Sequence, residues 1–245
     1  MKTKHDTMTM LEYEHKALAD GMQFIGGIDE VGRGPLAGPV VVACCVMPLN
    51  DEDIIQGVND SKKVSEKNRE ILYEKIKEKA IAYQIEMLDE KAIDEMNILE
   101  ATKACMRKAI EDISQKVKLN IVLIDAVKID SPVPIEPIIK GDAKSYSIAC
   151  ASILAKVTRD RMMVDFDKVY PGYDFASNKG YGSQKHIAAL KEIGPCPIHR
   201  KTFIKNFINW VKLVANIYLY LLVLLGKWLR SSPLSIKTTI DKNAS

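Results

Sequence analysis

Two hydrophobic rhythms alternate along the chain. Residues 25–29 and 39–46 are short, β-branched apolar runs joined by a turn of glycines and prolines, which predicts a hairpin with a wide loop. Residues 49–63 read as loop. Ser65 can cap a helix over 66–79, with Ile71, Leu72, Ile76 and Ala80 on one face. Residues 82–88 alternate well enough for a strand; Asp89 and Asn97 are both suitable caps, and 98–113 is strongly amphipathic. Residues 120–125 form an apolar strand ending in a carboxylate, and 135–139 form another short strand. The helix predicted over 147–167 carries small residues, Ala149, Cys150, Ala151, Ser152 and Ala155, that allow a close approach to a sheet. Ser183 caps a last helix to 193. A hairpin followed by alternating strands and helices predicts an α/β fold with a mixed sheet.

The ends differ from this body. Residues 1–22 are polar and helix-compatible, an N-terminal helical arm that either docks or stays loose. Near the other end, residues 213–226 (LVANIYLYLLVLLG) carry no charge. As a helix they would reach roughly 21 Å at about 1.5 Å per residue, short of a bilayer core of about 30 Å. They are apolar all round, so a surface helix is excluded. Burial is the first expectation; membrane contact by this tail is the lesser alternative.

Composition narrows the setting. The length of 245 residues suits one large domain, and a net charge of +3 permits a polyanionic partner without requiring one. The five cysteines include no CxxC pair, and the N-terminus has no apolar core of the secretory kind, which together predict a reduced, cytoplasmic protein. His5, His15, His186 and His199 show no metal-ligand spacing.

The candidate chemistry lies at strand ends. Asp29 and Glu30 close the first strand, Asp125 closes a later one, and Asp142 follows the short strand after it. An acid after an apolar run is often only a cap or turn former. Here the feature recurs at three strand ends, where α/β sheets form binding crevices. Clustered acids raise one another's pKa values, and a divalent cation removes the conflict. Oxygen ligands alone suit Mg²⁺ or Mn²⁺ rather than Zn²⁺. The loop GRGPLAG leads into a strand, not a helix, so it is no dinucleotide fingerprint. Its glycines permit close backbone approach to a ligand, and Arg33 between Gly32 and Gly34 offers a fork for phosphate.

At these residues the sequence resembles the ribonuclease HII (type 2 ribonuclease H) family. GIDEVGRGPLAGPVV, NDSKKVSEKNRE, IVLIDA, KGDAKSYSIACASILAKVTRD, NKGYGSQKH and PIHRKTF carry the resemblance, in order, over roughly residues 10–205. It implies an RNase H-like mixed sheet flanked by helices over 23–195, and a helical C-terminal extension with the apolar tail over 196–245. It implies an endonuclease that hydrolyses the RNA strand of RNA–DNA hybrids and nicks duplex DNA 5′ of a single embedded ribonucleotide, leaving 3′-hydroxyl and 5′-phosphate ends. By the same resemblance Asp29, Glu30, Asp125 and Asp142 are the catalytic carboxylates and hold two Mg²⁺ or Mn²⁺ ions about 4 Å apart. Gly32, Arg33 and Gly34 contact the ribose 2′-hydroxyl and adjoining phosphates, and Tyr181 in GYG stacks on the following deoxyribose. Without the resemblance Tyr181 reads as a turn aromatic between Gly180 and Gly182. Lys62 and Lys63 are expected to meet backbone phosphates, with Lys144, Lys185 and Arg200 as further candidates; a solvated surface charge is the plain alternative for each lysine. A monomer with no obligate protein partner is expected.

Three rival functions follow from the same residues. A non-catalytic nucleic-acid-binding module gains nothing from clustered acids. A protein attached to a membrane through residues 213–226 would need detergent unless truncated near Asn209. A phosphohydrolase of small molecules would be inhibited by mononucleotides.

Overall fold

The computed structural model describes residues 7–208, 223–225 and 227–228. Strands β1 (Ile25–Val31) and β2 (Val40–Val46) form the predicted hairpin, with Gly26 opposite Val46 and Val31 opposite Val41. β3 (Ala82–Leu88) pairs antiparallel with the outer edge of β2. β4 (Ile121–Asp125) lies parallel to β1, and β5 (Ile135–Ile138) lies parallel to β4. The order is β3-β2-β1-β4-β5.

Both faces of this sheet are covered, which is why β2 reads as an unbroken apolar run. Val41, Ala43 and Cys45 face the core containing Ala149–Ala151, while Val40, Val42, Cys44 and Val46 face the one containing Ala101, Cys105 and Ala109. Helix α1 (Glu12–Ala19) precedes the sheet, and α2 (Glu66–Lys79) is capped by the Ser65 side chain, which accepts from Asn68 N at 3.3 Å. Both further caps are used. Asp89 accepts from Ala92 N and opens the short α3 (Glu90–Met96). Asn97, at φ +70°, ends α3 and caps α4 (Ile98–Ser114) through Leu99 N and Glu100 N.

α5 (Tyr146–Val169) crosses β1 and β2, and its N-cap is Ser145. Of the small residues predicted for it, Ala149, Cys150, Ala151 and Ala155 share a core with Val41, Ala43 and Cys45 of β2, and its first turn meets Gly27, where a Cβ would overlap the Ser147 backbone. The glycine is therefore what lets helix and sheet approach so closely. Within the N-terminal arm, α1 docks. Glu14 of α1 is buried and accepts from Ser145 Oγ at 2.6 Å and Ser147 N at 2.8 Å, which fixes the first turn of α5.

Helices α6 (Phe175–Asn178), α7 (Gln184–Ile193) and α8 (Lys201–Ile204) form a layer beside the hairpin loop, with Leu36, Ala37, Met163, Phe175, Leu190 and Ile204 in its core. Of the apolar segment 213–226, expected to be buried, only 223–225 fall within the described residues. They are helical, and Val223, Leu224 and Leu225 are exposed. No helix among the described residues is long and apolar enough to cross a membrane.

Candidate active site

The sheet register brings the acids together. Ile28 pairs with Ile124 on parallel strands, so the next residues, Asp29 and Asp125, sit side by side at the strand ends. Asp125 Oδ1 accepts from Gly141 N at 2.9 Å, which ties the turn carrying Asp142 to the end of β4. Ala126 and Lys140 flank these acids in the left-handed region, at φ +53° and +58°. Non-glycine residues rarely sit there, and such strain gathers at functional sites. The cleft has a volume of about 280 Å³, and Asp29, Glu30, Asp125, Ser61, Lys62, Ser152, Lys156 and Tyr181 line it.

The electrostatics are unbalanced. Burial, then the charges of Glu30 and Asp125, push Asp29 well above the usual carboxylate range; the Ser152 hydroxyl and the Glu30 amide, at 2.8 Å, only partly offset this. Burial also raises Glu30, against the pull of Arg33, whose Nη1 lies 3.2 Å from Glu30 Oε1. Burial and the neighbouring Asp60 raise Asp142, with Lys62 Nζ 3.5 Å away acting in the opposite direction. Glu30 Oε2 is buried and has no hydrogen-bond partner among the described residues. A hard divalent cation fits this donor set, since every candidate ligand atom is a carboxylate oxygen. Among the described residues no three His, Cys, Asp or Glu side chains are placed to hold an ion by themselves. Mg²⁺-type sites keep waters and take phosphate oxygens, so a partial protein shell suits a cation shared with a phosphodiester.

The glycine loop rests on two buried arginines. Arg159 of α5 donates to Pro39 O (2.9 Å), Lys179 O (2.8 Å) and Ala37 O (3.0 Å). Arg200 donates to Gly38 O, to Arg33 O at 3.0 Å and to Gly32 O at 2.6 Å. Gly32 has φ +93°, and a Cβ there would lie 2.6 Å from Pro39 O and overlap Arg159. Only glycine lets the loop close over the guanidinium. A planar trans peptide points C=O and the following N–H in opposite directions. With Gly32 O and Arg33 O turned in to Arg200, the amides of Arg33 and Gly34 face outward. Tyr181, 45% exposed, stands over this loop, its Cε1 3.7 Å from the position of a Gly34 Cβ.

The family model for Ribonuclease HII matches residues 26–206. The chain is 51% identical over 215 residues to a ribonuclease HII of Ruminiclostridium cellulolyticum, covering 85% of this chain and 83% of that one. It is 53% identical over 198 residues to one from Caldanaerobacter subterraneus subsp. tengcongensis, with 80% of each covered. The chain belongs to the ribonuclease HII family. Its fold is similar to the solved PCNA:RNase HII complex from Archaeoglobus fulgidus, with a TM-score of 0.64, 27% identity, and 75% of this chain and 96% of that one covered.

Within this ribonuclease HII chain the sequence candidates fall into separate groups. Asp29, Glu30, Asp125, Lys62 and Tyr181 line one cleft, with Asp142 tied to it through Lys62 and the Gly141 turn, and Gly32, Arg33 and Gly34 form the adjoining loop. Lys63 pairs instead with Asp60 at 3.8 Å. Lys144 is exposed, and Lys185 pairs with Asp174 at 3.7 Å in a different hollow. Arg200 is a correction: expected to meet phosphate, it is wholly buried and holds the glycine loop from beneath. Its burial follows from the carbonyls that the loop presents to it. Sequence reasoning also passed over Ser152, Lys156 and Arg159. Ser152 and Lys156 are four apart on α5, and that spacing alone places them on one face.

Proposed function

We propose that this cleft hydrolyses the phosphodiester on the 5′ side of a ribonucleotide, with Asp29, Glu30, Asp125 and Asp142 holding Mg²⁺ or Mn²⁺. The chain is a metal-dependent ribonuclease H acting on RNA–DNA hybrids, as its family membership establishes. The observation that carries the site assignment is the buried, partnerless Glu30 Oε2 among acids raised by burial and mutual charge. A divalent cation would satisfy such a cluster. When bound, the metal ions supply an acidified water and charge stabilisation at the leaving 3′ oxygen.

The remaining tasks fall to the chain. The outward amides of Arg33 and Gly34 are donors for the 2′-hydroxyl, the one group that separates RNA from DNA at a given nucleotide. The Arg33 fork, 43% exposed, reaches toward an adjoining phosphate, and Lys62 toward another. Both contacts position the duplex without reading its sequence. Tyr181 supplies a flat face for the next sugar. The enzyme acts as a monomer with no obligate protein partner; its cysteines are all free, in keeping with the reducing cytoplasm.

A DNA duplex carrying one ribonucleotide, an all-DNA control and an Asp29→Asn variant test this with either metal. A nick immediately 5′ of the ribonucleotide, absent from the control and the variant, is expected. No cleavage by folded protein with either ion sinks the assignment.

A further inference from the structure

Behind Tyr181 runs a file of hydrogen bonds that the reaction above leaves unused. His186, in the first turn of α7, places Nδ1 2.8 Å from Tyr181 O. Its Nε2 lies 2.9 Å from Nε2 of His199. His199 Nδ1 in turn lies 2.9 Å from the backbone N–H of Cys196. Both imidazoles are buried and wrapped by Tyr173 and Phe175, with Phe175 edge-on to His186 at 5.2 Å between centroids.

The direction of this file is determined. An N–H cannot point at another N–H, so His199 Nδ1 accepts from Cys196 N and its proton is on Nε2. His186 Nε2 must then accept, which leaves the proton of His186 on Nδ1, aimed at Tyr181 O. The approach of His199 Nδ1 to Cys196 O, at 3.2 Å, does not reverse this, because a proton on Nδ1 would face the Cys196 N–H that is directed at the same nitrogen. Burial lowers both imidazoles, His199 to about 4 with help from His186, so both are neutral at pH 7.

We infer that His199 and His186 are positioning residues for the ribonucleotide junction: a one-way relay that pins the Tyr181 carbonyl and so sets the ring over Gly34. The inference rests on Tyr181 being the sugar-contacting group proposed above. The location of the relay supports a role beyond filling space. Ile198 O accepts from Gly38 N at 2.9 Å and Arg200 holds Gly32, so one short segment, 198–200, fixes the loop side of the groove and the tyrosine side together.

Nitrogen-15 imidazole spectra of the full-length chain read the relay directly. His199 protonated only at Nε2 and His186 only at Nδ1 at pH 7 are expected; the opposite tautomers, or a doubly protonated ring, overturn it. Function is read as the ratio of kcat/KM on a single-ribonucleotide duplex to that on a long RNA–DNA hybrid. His186→Leu should lower this ratio roughly fivefold, the scale of one neutral hydrogen bond. His186→Asn, which keeps a donor toward Tyr181 O, should restore most of it, and His199→Gln should exceed His199→Leu for the same reason. Thermal melts confirm that the compared variants fold. Equal losses on both substrates, or no difference between His186→Leu and His186→Asn, overturn the inference while Tyr181→Ala still shifts the ratio. If Tyr181→Ala leaves the ratio unchanged, the tyrosine assignment fails, and the positioning role fails with it.

Discussion

On the acid side of the cleft, Glu30 Oε2 is buried without a partner, and burial raises Asp29, Glu30 and Asp142. Under the glycine loop, a few residues away, each side-chain nitrogen of the buried Arg159 and Arg200 meets a backbone carbonyl. Both regions bury charge, yet one is left wanting and the other is satisfied. Burial lowers Arg159 to about 10 and, with repulsion from Arg159, Arg200 to about 9, so both stay protonated at neutral pH. The acids are arranged for what binds, and local stability is lost there. The arginines are arranged for shape, and their net positive charge lies beneath the surface that a polyanion would approach. Under the proposed assignment, charge alone does not mark a reacting group; what distinguishes it is charge left unsatisfied.

The largest test of this contrast is Asp29→Asn. Activity should fall on the order of 10⁴-fold, the scale of removing one member of a catalytic unit. Without divalent metal the same variant should melt higher than the parent. Each kcal/mol of relieved repulsion corresponds to about 2–4 °C in a chain of this size. A metal-free melt lower than the parent's would break the claim that the acids are frustrated. Next comes Arg200→Met, which leaves the Gly32, Arg33 and Gly38 carbonyls buried without their donor. A loss of about 3–5 kcal/mol is expected from urea unfolding, as for a broken buried charged network. A change within about 0.5 kcal/mol, the range of ordinary surface sites, would put Arg200 back among the phosphate contacts.

The smallest effect is in the pH profile of stability, where the regions carry opposite signs. His199 has a folded value of about 4 against 6.5 as the ordinary value, so the unfolded chain takes the proton first as pH falls. Stability present above pH 6.5 is therefore lost between 6.5 and about 4, by an amount of order 1–3 kcal/mol. Asp29 has a raised folded value, so the native state takes that proton first and acidification favours folding until the unfolded carboxyl also protonates. Urea midpoints from pH 8 to 4, without divalent metal, should fall more steeply for Asp29→Asn than for the parent. A shallower fall in the variant would reverse the assignment of signs.

Much of this was legible in the order of residues. Strand β2 is apolar at every position because both its faces are covered, and Ser65, Asp89, Asn97 and Ser183 announce the helices they cap. Capping and burial period are local physics, so sequence carries them. The carboxylates were legible as acids closing strands, and Lys62 and Lys63 as cations expected at backbone phosphates. That Lys62 turns to Asp142 and Lys63 to Asp60 is a matter of one residue's direction in a loop, which no periodicity encodes.

By itself, then, the sequence determined the mixed α/β class, the caps, the small face of α5 and the acids that would end neighbouring strands. Tertiary structure alone decided that Arg200 points inward, because its acceptors lie more than 160 positions away and exist only once the loop has folded over it. It also decided that His186 and His199 form one directed chain rather than two separate core residues. Their hydrogen bonds depend on which ring atoms face each other across packed segments, and spacing along the chain does not contain that information.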